Sequence, residues 1–189
     1  MQEDTLPRNI VLIGFMGSGK STVGRALAAR LGSGWRYVDS DARLSEVAGC
    51  DIPALFRAEG ESGFRARETQ ILTGLCAGER LVIATGGGAV QLPENTPLLR
   101  SAGMVVWLTA RPDVVVARIE RREADRPLLA NRGDKNLLAY VLTLLGERAP
   151  RYQKAAHVTV DTSDRNPDSI AAEIERKARV WRDAADPRS

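Results

Sequence analysis

The sequence feature that most constrains the fold is a glycine-rich loop near the N-terminus. Residues Gly14–Ser21 match the pattern G-x-x-x-x-G-K-[ST] at every required position. An apolar, strand-like segment precedes the loop, and a segment with an apolar stripe at helical spacing, Lys20–Leu31, follows it. This order predicts a loop whose backbone amides and following helix N-terminus hold phosphate oxygens. The structural alternative is a surface turn with an exposed lysine, and the flanking strand and helix argue against it.

Within this loop, two side chains have predicted roles on a bound nucleotide. Lys20 is expected to reach the β- and γ-phosphates, and the hydroxyl of Ser21 is expected to bind Mg²⁺. A phosphate-binding loop of this kind predicts nucleotide binding. It does not decide whether a phosphate goes to water, a protein or a metabolite.

Strand-like and helical patterns alternate along the rest of the chain, which predicts parallel strands joined by helical crossovers. Helices are expected from Pro112 to about Arg121 and from Pro167 to Trp181, and the 189 residues fit a single domain with a core at about residues 9–182. The predicted strands are Asn9–Phe15, Trp35–Val38, Leu81–Ala84, Met104–Leu108 and His157–Val160.

A charged segment at about residues 121–132 interrupts this alternation. It contains Pro127 and shows no sustained hydrophobic period, so we predict a long mobile loop. Loops of this length in compact enzymes often act as lids.

Two aspartates follow the second predicted strand, at the edge where open α/β sheets build their sites. If the strand geometry continued, Asp39 and Asp41 would both point toward the phosphate-binding loop. One could then hold Mg²⁺ through water, and the other could accept a proton from a substrate hydroxyl. Alternatively, Asp41 caps a helix over Ala42–Ala48. Both interpretations stay open at this point.

Composition narrows the choice of function. No apolar run approaches the roughly 20 residues that a membrane-spanning helix needs, and the acidic N-terminus lacks the features of a secretory signal. The 27 Lys and Arg residues face 24 Asp and Glu residues without a basic tract, so no nucleic-acid partner is expected. Cys50 and Cys76 are expected to be reduced and buried, and His157 to be structural. We expect a cytoplasmic protein without a membrane partner.

With the downstream segments, these residues make the chain resemble the shikimate kinase family, and the resemblance runs from about Ile10 to Ile174. It implies a three-layer α/β P-loop kinase fold, with a central five-stranded parallel sheet, helices on both faces and a mobile lid. The matching segments are Gly14–Ser21, Asp39–Asp41, Gly60–Glu68, Thr85–Val90, Arg126–Leu129 and Arg148–Tyr152.

The resemblance implies transfer of the ATP γ-phosphoryl group to the 3-hydroxyl of shikimate, a step of aromatic amino-acid biosynthesis. The implied ligands are ATP, shikimate and Mg²⁺, and we expect a monomer. The implied catalytic residues are Lys20, Asp41 and Arg126. The implied ATP-binding residues are Gly17, Ser18, Gly19, Lys20, Ser21, Thr22, Arg126 and Arg165, and the implied metal-binding residues are Ser21 and Asp39. The implied shikimate-binding residues are Asp41, Arg65, Gly86, Gly87, Gly88 and Arg148.

Chemistry supports several of these assignments. Arg65 and Arg148 suit a carboxylate, because a guanidinium stays charged and offers paired donors. Spacing alone would make Arg65 and Glu68 an exposed surface pair, whereas the resemblance implies that Glu68 orients Arg65. The three glycines permit close approach of a ligand, although a tight turn is the structural alternative.

Two arginines complete the expected phosphate site. Closure of the predicted lid would bring Arg126 onto the phosphates and exclude water. Arg118 resembles a second phosphate-facing arginine of some family members.

Two rival functions share the phosphate-binding loop. A kinase for another polyol acid, such as gluconate, would have no reason to keep Arg65, the triple glycine and Arg148 together. A regulatory protein that has lost catalysis would typically have lost the lysine, the acidic pair or Arg126, all of which are present.

Overall fold

A computed structural model describes residues 6–121 and 136–181. Its sheet has five parallel strands in the order β2-β3-β1-β4-β5, which confirms the predicted five-stranded parallel sheet. The observed strands agree with the predicted ones to within about two residues at each end. They are β1 Ile10–Ile13, β2 Arg36–Asp39, β3 Leu81–Ala84, β4 Met104–Thr109 and β5 Val158–Asp161.

Seven α-helices lie within the described ranges. The longest, α3, is kinked at Gly60, whose φ of 68° falls in the left-handed region. The helices are α1 Lys20–Leu31, α2 Ser40–Ala48, α3 Ile52–Cys76, α4 Asn95–Ala102, α5 Pro112–Glu120, α6 Leu137–Ala155 and α7 Pro167–Val180. None of these helices is long and apolar enough to cross a membrane.

Two apolar clusters cover the two faces of the sheet. On one face, Leu12 of β1 packs with Leu27 of α1 and Ile174 of α7. On the other face, Val11 of β1 packs with residues of α3, α4 and α6, including the buried Tyr152. All four residues of β1 are buried, as expected for a central parallel strand covered on both sides. The predicted three layers are therefore confirmed.

The P-loop between β1 and α1 requires glycine at defined positions. Gly17 and Gly19 have φ values of 76° and 92°, in the region that side chains rarely adopt. A Cβ on Gly14, whose φ is 145°, would clash with the carbonyl oxygen of Leu108 on β4. The loop therefore crosses the carboxyl ends of the central strands with its backbone amides available at the start of α1.

Two local predictions are wrong. Helix α2 begins at Ser40, so strand geometry ends at Asp39 and the argument that placed both aspartates on one face of a strand does not apply. Cys50 is partly exposed rather than buried. Cys76 is buried, and burial raises the pKa of its thiol to about 11, so the thiol stays protonated near neutral pH.

The structural role expected of His157 is confirmed, because its Nδ1 accepts a hydrogen bond of 2.9 Å from the backbone N–H of Val105. Of the predicted lid, residues 122–132 lie outside the described residues, and Arg126 is among them.

Candidate active site

One cavity of about 790 Å³ lies at the carboxyl ends of the strands. A first group of lining residues surrounds the P-loop and consists of Gly17, Gly19, Lys20, Ser21, Thr22 and Arg118. A second group comes from α2, α3, α6 and the loop after β3, and consists of Asp41, Arg65, Glu68, Gly86–Gly88 and Arg148. The fold therefore brings most of the predicted site residues to one space, although they lie far apart in the sequence.

The P-loop side chains hold the loop in shape. The ammonium group of Lys20 donates to the carbonyl oxygens of Gly14 at 2.7 Å and Phe15 at 3.0 Å. The hydroxyl of Ser18 is buried, and no hydrogen-bond partner for it occurs in the described parts of the chain. Burying a hydroxyl without a partner is costly, and Ser18, which is 1% exposed, does not line the cavity.

Asp39 is the N-cap of α2, which is the role that the structural alternative gave to Asp41. Its Oδ1 accepts from the backbone N–H groups of Asp41 and Ala42. Its Oδ2 accepts from the hydroxyl of Ser21 at 3.1 Å and from that of Tyr37 at 2.9 Å. Four donors thus fix this carboxylate beside the P-loop, and the capping alternative for Asp41 is wrong.

Asp41 lies in the first turn of α2 and lines the cavity. Burial raises the pKa of its carboxyl to about 6, and the negative charges of Asp39 and Glu68 add to the rise. Lys20 and Arg65 oppose the rise with their positive charges. A carboxyl with a pKa this close to neutrality can hold or release a proton under physiological conditions.

Arg65 and Glu68 form a buried pair on α3. Arg65 Nη1 donates to Glu68 Oε2 at 2.7 Å, and the Glu68 side chain is only 2% exposed. The surface-pair alternative is therefore wrong. Burial raises the pKa of Glu68, whereas the neighbouring guanidinium lowers it. Arg65 Nη2 also lies 3.5 Å from Glu61 Oε1, so two carboxylates of α3 hold the guanidinium in a defined orientation.

Two of the three glycines after β3, Gly86 and Gly88, lie too close to side chains of the site to carry a Cβ without a shift, whereas a Cβ on Gly87 would make only ordinary contacts. The glycines do form a tight turn, since the N–H of Ala89 donates to the carbonyl oxygen of Gly86 at 3.1 Å, but none of them has a positive φ that this turn would require of glycine. A Cβ on Gly86 would lie 2.5 Å from Asp41 Oδ1, and a Cβ on Gly88 would lie 2.5 Å from Arg65 Nη1. The backbone here therefore packs directly against the charged groups of the site.

Not every amide of this glycine run is available to a ligand. The N–H of Gly86 donates to the hydroxyl of Ser40 at 3.0 Å, so that amide already has a partner. The carbonyl oxygen of Gly87 accepts from the hydroxyl of Tyr152 at 2.5 Å. Two hydroxyls from different helices thus fix the run on both sides.

Arg148 lines the cavity from α6, one helical turn before Tyr152. Its guanidinium carbon lies 5.7 Å from the centre of the Phe15 ring, within the range of a cation–π contact. Arg148 approaches the cavity from a different helix than Arg65. The two cations thus share the half of the cavity that contains the glycine run.

Two further arginines border the P-loop half. Arg118 Nη1 donates to the carbonyl oxygen of Gly17 at 3.1 Å, and its Nη2 donates to that of Thr162 at 2.7 Å. Arg165 lines the cavity beside Pro167 and pairs with Glu173 at 2.8 Å.

Sequence reasoning gave no role to several residues of the site. Tyr37 and Ser40 hold Asp39 and Gly86, and Tyr152 holds Gly87. Phe56 and Phe64 stack with ring centres 4.2 Å apart and both line the cavity. Hydroxyl and aromatic side chains of this kind are common in cores, so no local pattern distinguishes them.

The metal-binding capacity of the site is limited to a few oxygen atoms. No group of three or more His, Cys, Asp or Glu residues that could hold a metal ion occurs among the residues that the structure describes. The Ser21 hydroxyl and the Asp39 carboxylate lie 3.1 Å apart at the P-loop. Such an arrangement suits an ion that takes most of its oxygen ligands from phosphates and water, as Mg²⁺ does.

Comparison with known proteins gives a consistent family. A family model described as shikimate kinase matches residues 16–179. A shikimate kinase of Synechococcus sp. (strain CC9902) is 45% identical over 171 residues, which cover 90% of this chain and 86% of that protein. A shikimate kinase of Pseudomonas aeruginosa (strain LESB58) is 42% identical over 171 residues, which cover 90% of this chain and 96% of that protein.

Comparison with solved structures identifies the same family. The solved structure of shikimate kinase from Acinetobacter baumannii in complex with shikimate superposes with a TM-score of 0.83 and 40% identity, covering 92% of this chain and 93% of that one. Residues 16–179, which the family model matches, include most of the P-loop, the acidic pair, the glycine run and Arg148, which line one cavity here. On these grounds, the chain belongs to the shikimate kinase family, whose members are ATP-dependent kinases.

Proposed function

We propose that the protein transfers the γ-phosphoryl group of ATP to the 3-hydroxyl of shikimate, giving shikimate 3-phosphate and ADP in aromatic amino-acid biosynthesis. The observation that carries this proposal is the shared cavity, which has the P-loop at one end and Asp41, Arg65 and Arg148 around the other. A nucleotide on the P-loop would direct its terminal phosphate toward the second half. An acceptor in that half would be in line for transfer.

The second half of the cavity matches the chemistry of shikimate, which carries one carboxylate and three hydroxyls. Arg65 and Arg148 would bind the carboxylate, since a guanidinium stays charged and matches a carboxylate with paired donors. Asp41 would accept a hydrogen bond from the attacking hydroxyl and take up its proton late in the reaction. Gly87 and Gly88 would lie against the ring.

The first half would bind the triphosphate. The amides of Gly17 and of Gly19–Ser21 would donate to phosphate oxygens, with Thr22 following on α1, whereas the N–H of Ser18 already donates to the carbonyl oxygen of Phe15 at 3.2 Å. When a nucleotide binds, the ammonium group of Lys20 would give up its hydrogen bonds to the carbonyl oxygens of Gly14 and Phe15 and would bind the β- and γ-phosphates instead. Because phosphoryl transfer needs alignment and charge neutralisation more than covalent help, these groups would supply most of the catalysis.

Ser21 and Asp39 would hold Mg²⁺. The Ser21 hydroxyl donates its hydrogen to Asp39, which leaves the oxygen lone pairs for a cation. Asp39 would act through a bound water, because four donors already engage its carboxylate. When bound with ATP, Mg²⁺ supplies neutralisation of the phosphate charge.

Several parts of the proposal rest on the sequence. Arg126 lies outside the described residues, and its role on the phosphates stays a prediction. Arg165 would border the adenine, which is supported by its position at the cavity edge. We further propose a single P-loop kinase domain that works as a monomer in the cytoplasm.

The test is ADP release measured by a coupled assay, with shikimate and gluconate offered side by side and shikimate 3-phosphate identified by mass spectrometry. We expect turnover with shikimate and Mg²⁺. Turnover with gluconate alone would overturn the substrate. Nucleotide binding without transfer to either acceptor would favour a regulatory protein.

A further inference from the structure

Tyr152 occupies an unusual position for a core tyrosine. It lies on α6, is 1% exposed, and stacks on Trp107 of β4 with ring centres 5.7 Å apart. Its hydroxyl donates to the carbonyl oxygen of Gly87, 65 residues away in the sequence, at 2.5 Å. A residue of the core thus reaches the cavity backbone through its one polar atom.

Arg148 lies one helical turn before Tyr152 on α6, on the side of the phenol hydroxyl. Burial raises the pKa of Tyr152 to about 12, while the positive charge of Arg148 and its hydrogen bond to the phenol oxygen work in the opposite direction. The phenol gives its hydrogen to Gly87, so its lone pairs are available to accept from the guanidinium. Arg148 and Tyr152 are four residues apart on α6, which places them on the same helix face.

The bond to Gly87 has a second effect through the planarity of the peptide group. The carbonyl of Gly87 and the N–H of Gly88 belong to one trans peptide plane and point in opposite directions. With the carbonyl held by Tyr152, the N–H of Gly88 faces away from α6. One hydroxyl therefore orients this amide directly and lies beside the guanidinium of Arg148 in the same half of the cavity.

We propose that Tyr152 is a positioning residue for the carboxylate end of the acceptor. This inference rests on the proposed function, in which Arg148 binds the carboxylate of shikimate. Tyr152 itself would not touch the acceptor, because its side chain is only 1% exposed and its hydroxyl donates to the carbonyl oxygen of Gly87. Tyr152 would affect the orientation of Arg148 toward the bound carboxylate. We therefore expect it to influence the affinity for shikimate and not the affinity for ATP.

The test is Tyr152→Phe in the full chain. The substitution keeps the ring and its stack on Trp107, so the core stays filled. We expect KM for shikimate to rise about tenfold, as expected when a hydrogen bond to a charged group is lost, with kcat and KM for ATP within about twofold of wild type. Ile174→Val, which removes a methyl group from the cluster on the opposite face of the sheet, serves as a control for a general loss of stability.

A double-mutant cycle separates positioning from a purely structural role. If Tyr152 acts through Arg148, Tyr152→Phe should weaken shikimate binding much less in an Arg148→Ala background than in wild type. Equal weakening in both backgrounds, an unchanged KM for shikimate in Tyr152→Phe, or a parallel rise in both KM values would overturn the inference. Failure of the wild type to use shikimate would instead overturn the proposed function.

Discussion

Replacing Asp41 by asparagine is expected to stabilise the folded protein while abolishing its turnover. The folded protein holds this carboxyl at a pKa of about 6, chiefly because the group is buried and also because Asp39 and Glu68 repel its charge. In the unfolded chain, the pKa returns to about 4. Above about pH 7, the folded state therefore carries an ionised carboxylate in surroundings that penalise its charge.

The sign and size of the effect follow from this difference in pKa. Because the folded-state pKa lies above the unfolded one, the cost is absent below about pH 4, grows as the pH rises, and is constant above about pH 7. A difference of roughly two pKa units corresponds to about 3 kcal/mol at pH 8, and to about half that at pH 5. Asparagine is neutral at every pH, so the free energy of unfolding of Asp41→Asn should exceed that of the wild type by about these amounts.

Urea unfolding of wild type and Asp41→Asn at pH 8 and pH 5 measures both free energies. Asp113→Asn is a matched control on the surface. The pKa of Asp113 is lowered, chiefly by its hydrogen bond from Arg111, so its replacement should give no gain in stability at pH 8. An Asp41→Asn protein no more stable than wild type at pH 8, or equally stabilised at both pH values, would refute the reasoning. Full turnover in the coupled assay would remove Asp41 from the mechanism.

Three further substitutions test other parts of the site. Lys20→Ala should abolish ADP release while circular dichroism shows a folded protein, and residual turnover near wild type would exclude Lys20 from catalysis. Arg65→Lys keeps a charge beside Glu68 but loses the paired donors, so calorimetry should show shikimate affinity reduced about tenfold with ATP affinity unchanged. Equal losses for both ligands would indicate damage to the fold. Gly88→Ala would place a Cβ 2.5 Å from Arg65 Nη1 and should raise KM for shikimate, whereas Gly74→Ala, which meets open space on α3, should leave it unchanged.

Much of the fold was predictable because its determinants are local. The P-loop pattern, the apolar segments and the helical stripes each lie within one stretch of chain, and the strands were located to within about two residues. The resemblance then identified Asp39, Asp41, Arg65 and Arg148 as site residues. The structure places all four around the cavity at the carboxyl ends of the strands.

Other features of the site depended on which segments become neighbours. Sequence could not show that Asp39 caps α2, because that depended on where β2 ends. Likewise, it could not show that the Gly86 amide is already bonded to Ser40.

The sequence by itself determined the chemistry available to this protein: a loop for phosphates, cations for a carboxylate and an acid for a hydroxyl. Only the tertiary structure decided how those groups act on one another. The raised pKa of Asp41 depends on burial and on charged residues from other segments of the chain. The hydrogen bond from Tyr152 to Gly87 likewise connects a helix to a distant loop. Such couplings arise from strand order and helix packing, which set distances and burial that no local pattern encodes.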